Sequence, residues 1–156
     1  MRRLLTVMAL TLSGLVVAKT WGTATSRNHE TGRVIVFRYV NELDTGFDRA
    51  SQPVRVIIVW KYKGTNGMPV PRERARMDAM EDLLGPAIEA DGFSTLALVS
   101  TGEDLREWIY YTKSEEGFFI RLNEALGRQP DFPIEIHVTD DPQWSNYQEF
   151  VDGLQQ

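Results

Sequence analysis

A chain of 156 residues, 42% hydrophobic and 25% charged, suits a single folded domain with a substantial core, and it shows no low-complexity tract or internal repeat. It contains no cysteine, which excludes disulfides, thiolate catalysis and thiolate metal sites together. The formal net charge of −5 excludes a generally basic surface and argues against nucleic acid as a partner.

The N-terminus reads MRRLLTVMALTLSGLVVA, with Arg2 and Arg3 ahead of an apolar run from Leu4 to Ala18. Val16 and Ala18 occupy the small-residue positions before a cleavage point, so residues 1–18 have the layout of a secretory signal. The run is shorter than the roughly 20 residues that span a bilayer. Export to a periplasmic or extracellular space, with cleavage, is therefore expected. The alternatives are retention as an N-terminal membrane anchor and a fortuitous buried helix. A lipid anchor is excluded because no cysteine can carry it. Cleavage removes two bases and no acid, leaving 15 bases against 22 acids and a net charge of −7.

Residues 19–32, KTWGTATSRNHETG, are small and polar apart from Trp21 and read as a linker. The domain is expected over residues 33–156. RVIVFRYV (33–40) predicts a first strand, and PVRVIIVWKYK, from Pro53, a more hydrophobic and central one. After an Asn66-Gly67 turn, Met77, Met80, Leu84, Ala87 and Ile88 form the apolar stripe of a helix. Pro86 is expected to kink or break it. FSTLALVS and EDLREWIYYT predict a hairpin. Ser114 caps a second helix whose stripe is Phe118, Leu122, Ala125 and Leu126, with Gly127 as its stop. DFPIEIHVT is the last strand. In TDDPQWSNYQEF, Asp141 and Pro142 start a final helix with Trp144, Tyr147, Val151 and Leu154 on one face. This order gives an α+β domain: a ferredoxin-like split βαβ antiparallel sheet with two helices on one face, an extra N-terminal strand and a C-terminal helix.

Several blocks in order carry a family resemblance: the strand ending in Trp60, AMEDLL, TGEDLREWIYYT, RLNEAL and FPIEIHVTDDPQWSNYQEF, with the acid-Pro-x-Trp-x-x-Tyr ending at Asp141, Pro142, Trp144 and Tyr147. Over roughly Val54 to Val151 the chain resembles the DUF695 family, which was grouped without a known function. In some bacterial proteins that domain looks to be joined to one similar to the regulator of ribonuclease activity B, a protein-binding inhibitor. The resemblance therefore implies binding rather than catalysis and supplies no catalytic residues. An exported chain puts a cytoplasmic ribonuclease partner in doubt.

The residues themselves name no reaction. The two histidines, His29 and His137, have neither metal spacing nor a nucleophile-elbow pattern beside them. His137, Asp140 and Asp141 come from one short segment, which is weak grounds for a metal. KYKGTNG lacks the Gly-Lys-Ser/Thr ending of a phosphate loop, and Arg72, Arg74 and Arg76 with Glu73 read as a solvated helix face. No cofactor is expected. Alternation on the strands points Arg55, Ile57, Val59 and Lys61 away from the helices, with Glu107, Ile109, Tyr111, Glu135 and His137 on the same face. The candidate binding surface is an apolar centre of Ile57, Val59, Ile109 and Tyr111 rimmed by Arg55, Lys61, Glu107, Glu135 and His137, suited to a protein partner or self-association, with Arg55, Lys61, Glu107, Tyr111 and His137 as its binding residues. The competing expectation is that a loop or the terminal helix covers it. A second candidate corner is Asp140 and Trp144. The functional expectation is an exported binding or interaction module, with a carboxylate-dependent hydrolase as the alternative.

Overall fold

The computed structural model describes residues 19–128 and 131–155. The expected export signal, residues 1–18, lies outside them. Six strands form one sheet: β1 (Trp21–Arg27), β2 (Val34–Val40), β3 (Val54–Lys61), β4 (Ser94–Gly102), β5 (Leu105–Thr112) and β6 (Ile134–Asp140). Their order is β1-β2-β4-β5-β3-β6, and every neighbouring pair is antiparallel. The helices are α1 (Pro71–Glu89), α2 (Glu115–Leu126) and α3 (Ser145–Gly153). None of the described helices is long and apolar enough to cross a membrane.

The stretch expected as a linker instead holds β1, paired with β2 from Trp21↔Val40 to Arg27↔Val34. Apart from Trp21 its side chains are small or polar, because an edge strand can be held by backbone bonds alone, with little to bury. At Gly22 a Cβ would sit 2.4 Å from the Tyr39 ring, so the glycine lets that ring lie flat on the strand.

The principal core lies between the sheet and helices α1 and α2. Val56, Ile58 and Trp60 of β3 meet Met77, Met80, Leu84 and Ile88 of α1 and Phe118 and Leu122 of α2. Each such large side chain contributes about 1.5–3 kcal/mol when fully buried. Two indoles in this core need acceptors, and α1 supplies both. Trp60 Nε1 donates to Glu73 at 2.7 Å and Trp108 Nε1 to Glu81 at 2.7 Å. A smaller second core on the other face joins Ala97, Leu98, Ile109 and Tyr111 to Trp144 and Tyr147.

Two further expectations change. Of the kink or break expected at Pro86, the break does not occur: α1 runs through it. The lost bond frees the carbonyl of Asp82, and both residues lie on the solvent side, where water takes the acceptor. The last helix starts at Ser145, not at Pro142, because Trp144 adopts a left-handed conformation (φ 57°, ψ 40°) that ends the turn begun at Asp141. Replacing Pro86 with alanine should restore a helical hydrogen bond and raise the unfolding free energy by about 1–3 kcal/mol. Urea denaturation would check it, and an unchanged midpoint would refute it.

Candidate functional site

The sheet face opposite α1 and α2 carries the residues selected by alternation. Arg55 pairs across from Tyr111, Ile57 from Ile109 and His137, and Val59 from Glu107 and Glu135. Half of this face is covered. Tyr111 is 0% exposed and lies parallel to Trp144, also 0% exposed, with ring centroids 4.1 Å apart. Trp144 Nε1 donates to the carbonyls of Arg49 (3.1 Å) and Gln52 (3.0 Å), tying α3 to the 41–52 loop. Tyr111 and Trp144, expected in an accessible surface and corner, therefore form an internal joint. A bulky residue in the left-handed region costs roughly 1–3 kcal/mol; this burial and bonding offset it.

The joint is closed by Asp141. Its Oδ1 accepts from Ser145 N (2.8 Å), and its Oδ2 from Asn146 N (3.2 Å) and the Tyr111 hydroxyl (2.9 Å). Arg55 Nη1 stands 3.9 Å from the same oxygen. Burial pushes the Asp141 carboxyl up, but the two backbone N–H groups and the tyrosine outweigh it and hold it below its ordinary value. Tyr111 is pushed up, first by burial and then by bonding to Asp141. This carboxylate works as a helix cap and anchor.

The uncovered half of the face is polar. Lys61 Nζ donates to Glu135 at 2.8 Å, and that pairing lowers the Glu135 pKa. His137 lies 3.8 Å from Glu135, and Glu107 accepts from Ser100 at 3.2 Å. Val59 and Ile109 are buried beneath these side chains, so the expected apolar centre offers little area. Asp140 is exposed and apart from them. Among the described residues no group of histidines and acids could hold a metal.

A different place gathers more chemistry. Beyond α1 the sheet continues as β2 and β1, leaving a cleft of about 310 Å³. Its floor is Thr23, Val36, Val99 and Thr101, and α1 lines it with Arg74, Asp78, Glu81 and Asp82 at the i, i+4, i+7, i+8 spacing of one helical face. Arg38 and Arg106 complete it. Arg106, only 7% exposed, donates from Nε to Thr101 (2.9 Å) and from Nη1 to Asp78 (2.8 Å). Arg38 pairs with Glu81, whose other oxygen takes the Trp108 indole. Arg74 approaches Asp78 only to 3.9 Å.

Sequence reading missed this cleft, grouping Arg74 with a solvated face, giving Arg38 no role and leaving Arg106 on the helix side of its strand without asking what pairs with it. The signal was Arg106 itself. It is the second residue of β5, on the same side as Trp108 and Tyr110, and an arginine on a core face requires partners.

The family model described as "Family of unknown function (DUF695)" matches residues 19–151. No curated protein matches the chain.

Asp141→Asn should cost about 2–3 kcal/mol at pH 7. Because the folded-state carboxyl is held below its unfolded value, its contribution is complete above about pH 4 and is lost as pH falls through the folded value. The gap between wild type and variant in urea midpoint should therefore shrink on acidification; a gap that stayed constant would show that the cap does not depend on the charge.

Proposed function

The chain belongs to the DUF695 family, and from that premise we propose that it is a binding module whose cleft beneath α1 captures a small ligand bearing a carboxylate or phosphate. The observation that carries this is Arg106, buried at the cleft with part of its guanidinium fork unoccupied. Nη2 has no acceptor among the described residues, and Arg74 makes no hydrogen bond there. Both oxygens of Glu81 are taken, and Asp78 already stands between Arg106 and Arg74. Three arginines meet three acids in the cleft, and although the Asp82 carboxylate is also unpaired among the described residues, the guanidinium groups leave more open donors than the acids leave open acceptors. Planar guanidinium forks match carboxylate and phosphate oxygens in pairs.

The hydrolase alternative has less support. It needs two carboxylates or a carboxylate and a base free to exchange a proton, whereas Asp78 and Glu81 are both held by arginines, Asp82 stands as a single exposed acid, and His137 lies on the opposite face of the sheet. The surface around Lys61, Glu107 and His137 is the weaker binding candidate because its apolar centre is buried.

Two further readings belong to the proposal. The βαββαβ portion is a ferredoxin-like split; the order β4-β5-β3-β6 supports it, since each of α1 and α2 joins two strands separated by a third. Residues 1–18 direct export. Arg2, Arg3 and the apolar run after them support that, and mature protein recovered from the native host should begin near Lys19. A chain isolated with Met1 from its native cytoplasm would refute it.

Binding is tested by titrating succinate, inorganic phosphate and a tetrapeptide with a free or amidated C-terminus into the ¹⁵N-labelled protein. Amide shifts should concentrate at Val36, Val99 and Thr101. In Arg74→Ala, an exposed change that leaves the fold intact, affinity should fall about tenfold, equivalent to one charge-assisted pair. Failure of every probe to move these amides at millimolar concentration would sink the reading.

A further inference from the structure

The two edges of the sheet are built differently. β6 carries Glu135, His137 and Asp140 along its length and follows Pro133, which are the usual means of discouraging a further strand. β1, WGTATSR, has no charged residue before Arg27 at its end, and it includes two threonines and an exposed tryptophan. Nothing among the described residues covers its outer backbone.

The hydrogen-bond phase of that backbone is fixed. Asn41 N donates to Thr20 O, and Asn28 N donates to Arg33 O, so at both ends of β1 the even-numbered residues bond to β2. The register is continuous between those points. In an antiparallel ladder, bonded and non-bonded pairs alternate. Trp21, Thr23, Thr25 and Arg27 therefore turn their N–H and C=O groups outward.

We propose that β1 is a self-recognition edge, joining two copies of this chain into one continuous twelve-stranded antiparallel sheet about a two-fold axis at Ala24. Only the register centred on Ala24 uses every outward group, pairing Trp21 with the other copy's Arg27 and Thr23 with its Thr25 at both ends. All eight backbone groups of each strand are then satisfied. No like charges face each other. Arg27, whose guanidinium donates to the Gly32 carbonyl at 3.1 Å, then stands opposite the other copy's Trp21, a ring that is 38% exposed and already accepts Arg38 at 5.0 Å. The threonines form cross-strand pairs on the same face. Ala24 meets its own copy as a non-hydrogen-bonded pair, with Cα atoms about 4.5 Å apart. The inference stands on the strand's backbone and is independent of the ligand assigned to the cleft.

The absence of cysteine makes the test clean. Protein purified as its host processes it, carrying Ala24→Cys, should form a disulfide-linked dimer under mild oxidation, because the expected spacing lies within the range a disulfide bridges. Ser26→Cys, which would face Gly22 of the other copy, should cross-link at least tenfold more slowly. Sedimentation of the wild type should show a dimer at high concentration, weakened at least tenfold by Thr23→Pro, which removes an outward N–H while leaving every bond to β2. Monomeric wild type at all concentrations, or equal cross-linking at positions 24 and 26, would overturn the proposal. So would a dimer that Thr23→Pro leaves intact while cross-linking at 24 fails.

Discussion

Strand β3 is apolar in both directions. Val56, Ile58 and Trp60 face one side and Ile57 and Val59 the other, so a sheet built around it has to be covered twice. Helices α1 and α2 cover the first face by ordinary amphipathic packing. The second has only the nine residues of α3 and the loop before β3, and that economy explains the Asp141–Tyr111–Trp144 joint. A short helix with little area to bury holds its place through hydrogen bonds that fix its start and through one large side chain used in full. Arg55 beneath Asp141, and the Tyr147 hydroxyl donating to the carbonyl of Val40, extend the same seat toward β2.

The first face has the opposite difficulty. The sheet is wider than the two helices that cover it, and the uncovered shelf of β2 and β1 begins beside α1. Both indoles of the main core turn to glutamates on α1, and Glu81 then meets Arg38 on the shelf. Packing and polar satisfaction are thus one network here, running from Trp108 through Glu81 to Arg38 and out to Trp21. Buried charges are costly unless bonded on all sides. The arginines and acids of the cleft meet that demand in part, leaving Arg106 Nη2 and the Arg74 guanidinium without a hydrogen bond among the described residues.

Much of this was legible in the residues. Alternation in VRVIIVWK and LREWIYYT assigned both faces, the Met77-Met80-Leu84-Ile88 spacing gave the inner stripe of α1, and Ser114 marked the start of α2, where its hydroxyl accepts from Gly117 N. The rest depended on distance along the chain. β1 carries almost no hydrophobic signal because β2 holds it by backbone bonds. The cleft is written in pairs such as Arg38–Glu81 and Asp78–Arg106, residues that local patterns cannot join. The start of α3 was displaced because Trp144 takes a backbone conformation that its side chain disfavours, and only the pocket under it makes that worthwhile.

The joint at Asp141 also sets the order in which the molecule can be made. Tyr147 reaches back 107 positions to Val40, Trp144 reaches back 92 to Gln52, and β6 must lie beside β3 before α3 has anywhere to sit. Contacts so remote in sequence form late, since the loops they close are long. The second face of the sheet therefore stays open until α3 has been made and can dock. A nascent chain of this design exposes Ile57, Ile109 and Tyr111 until α3 covers them.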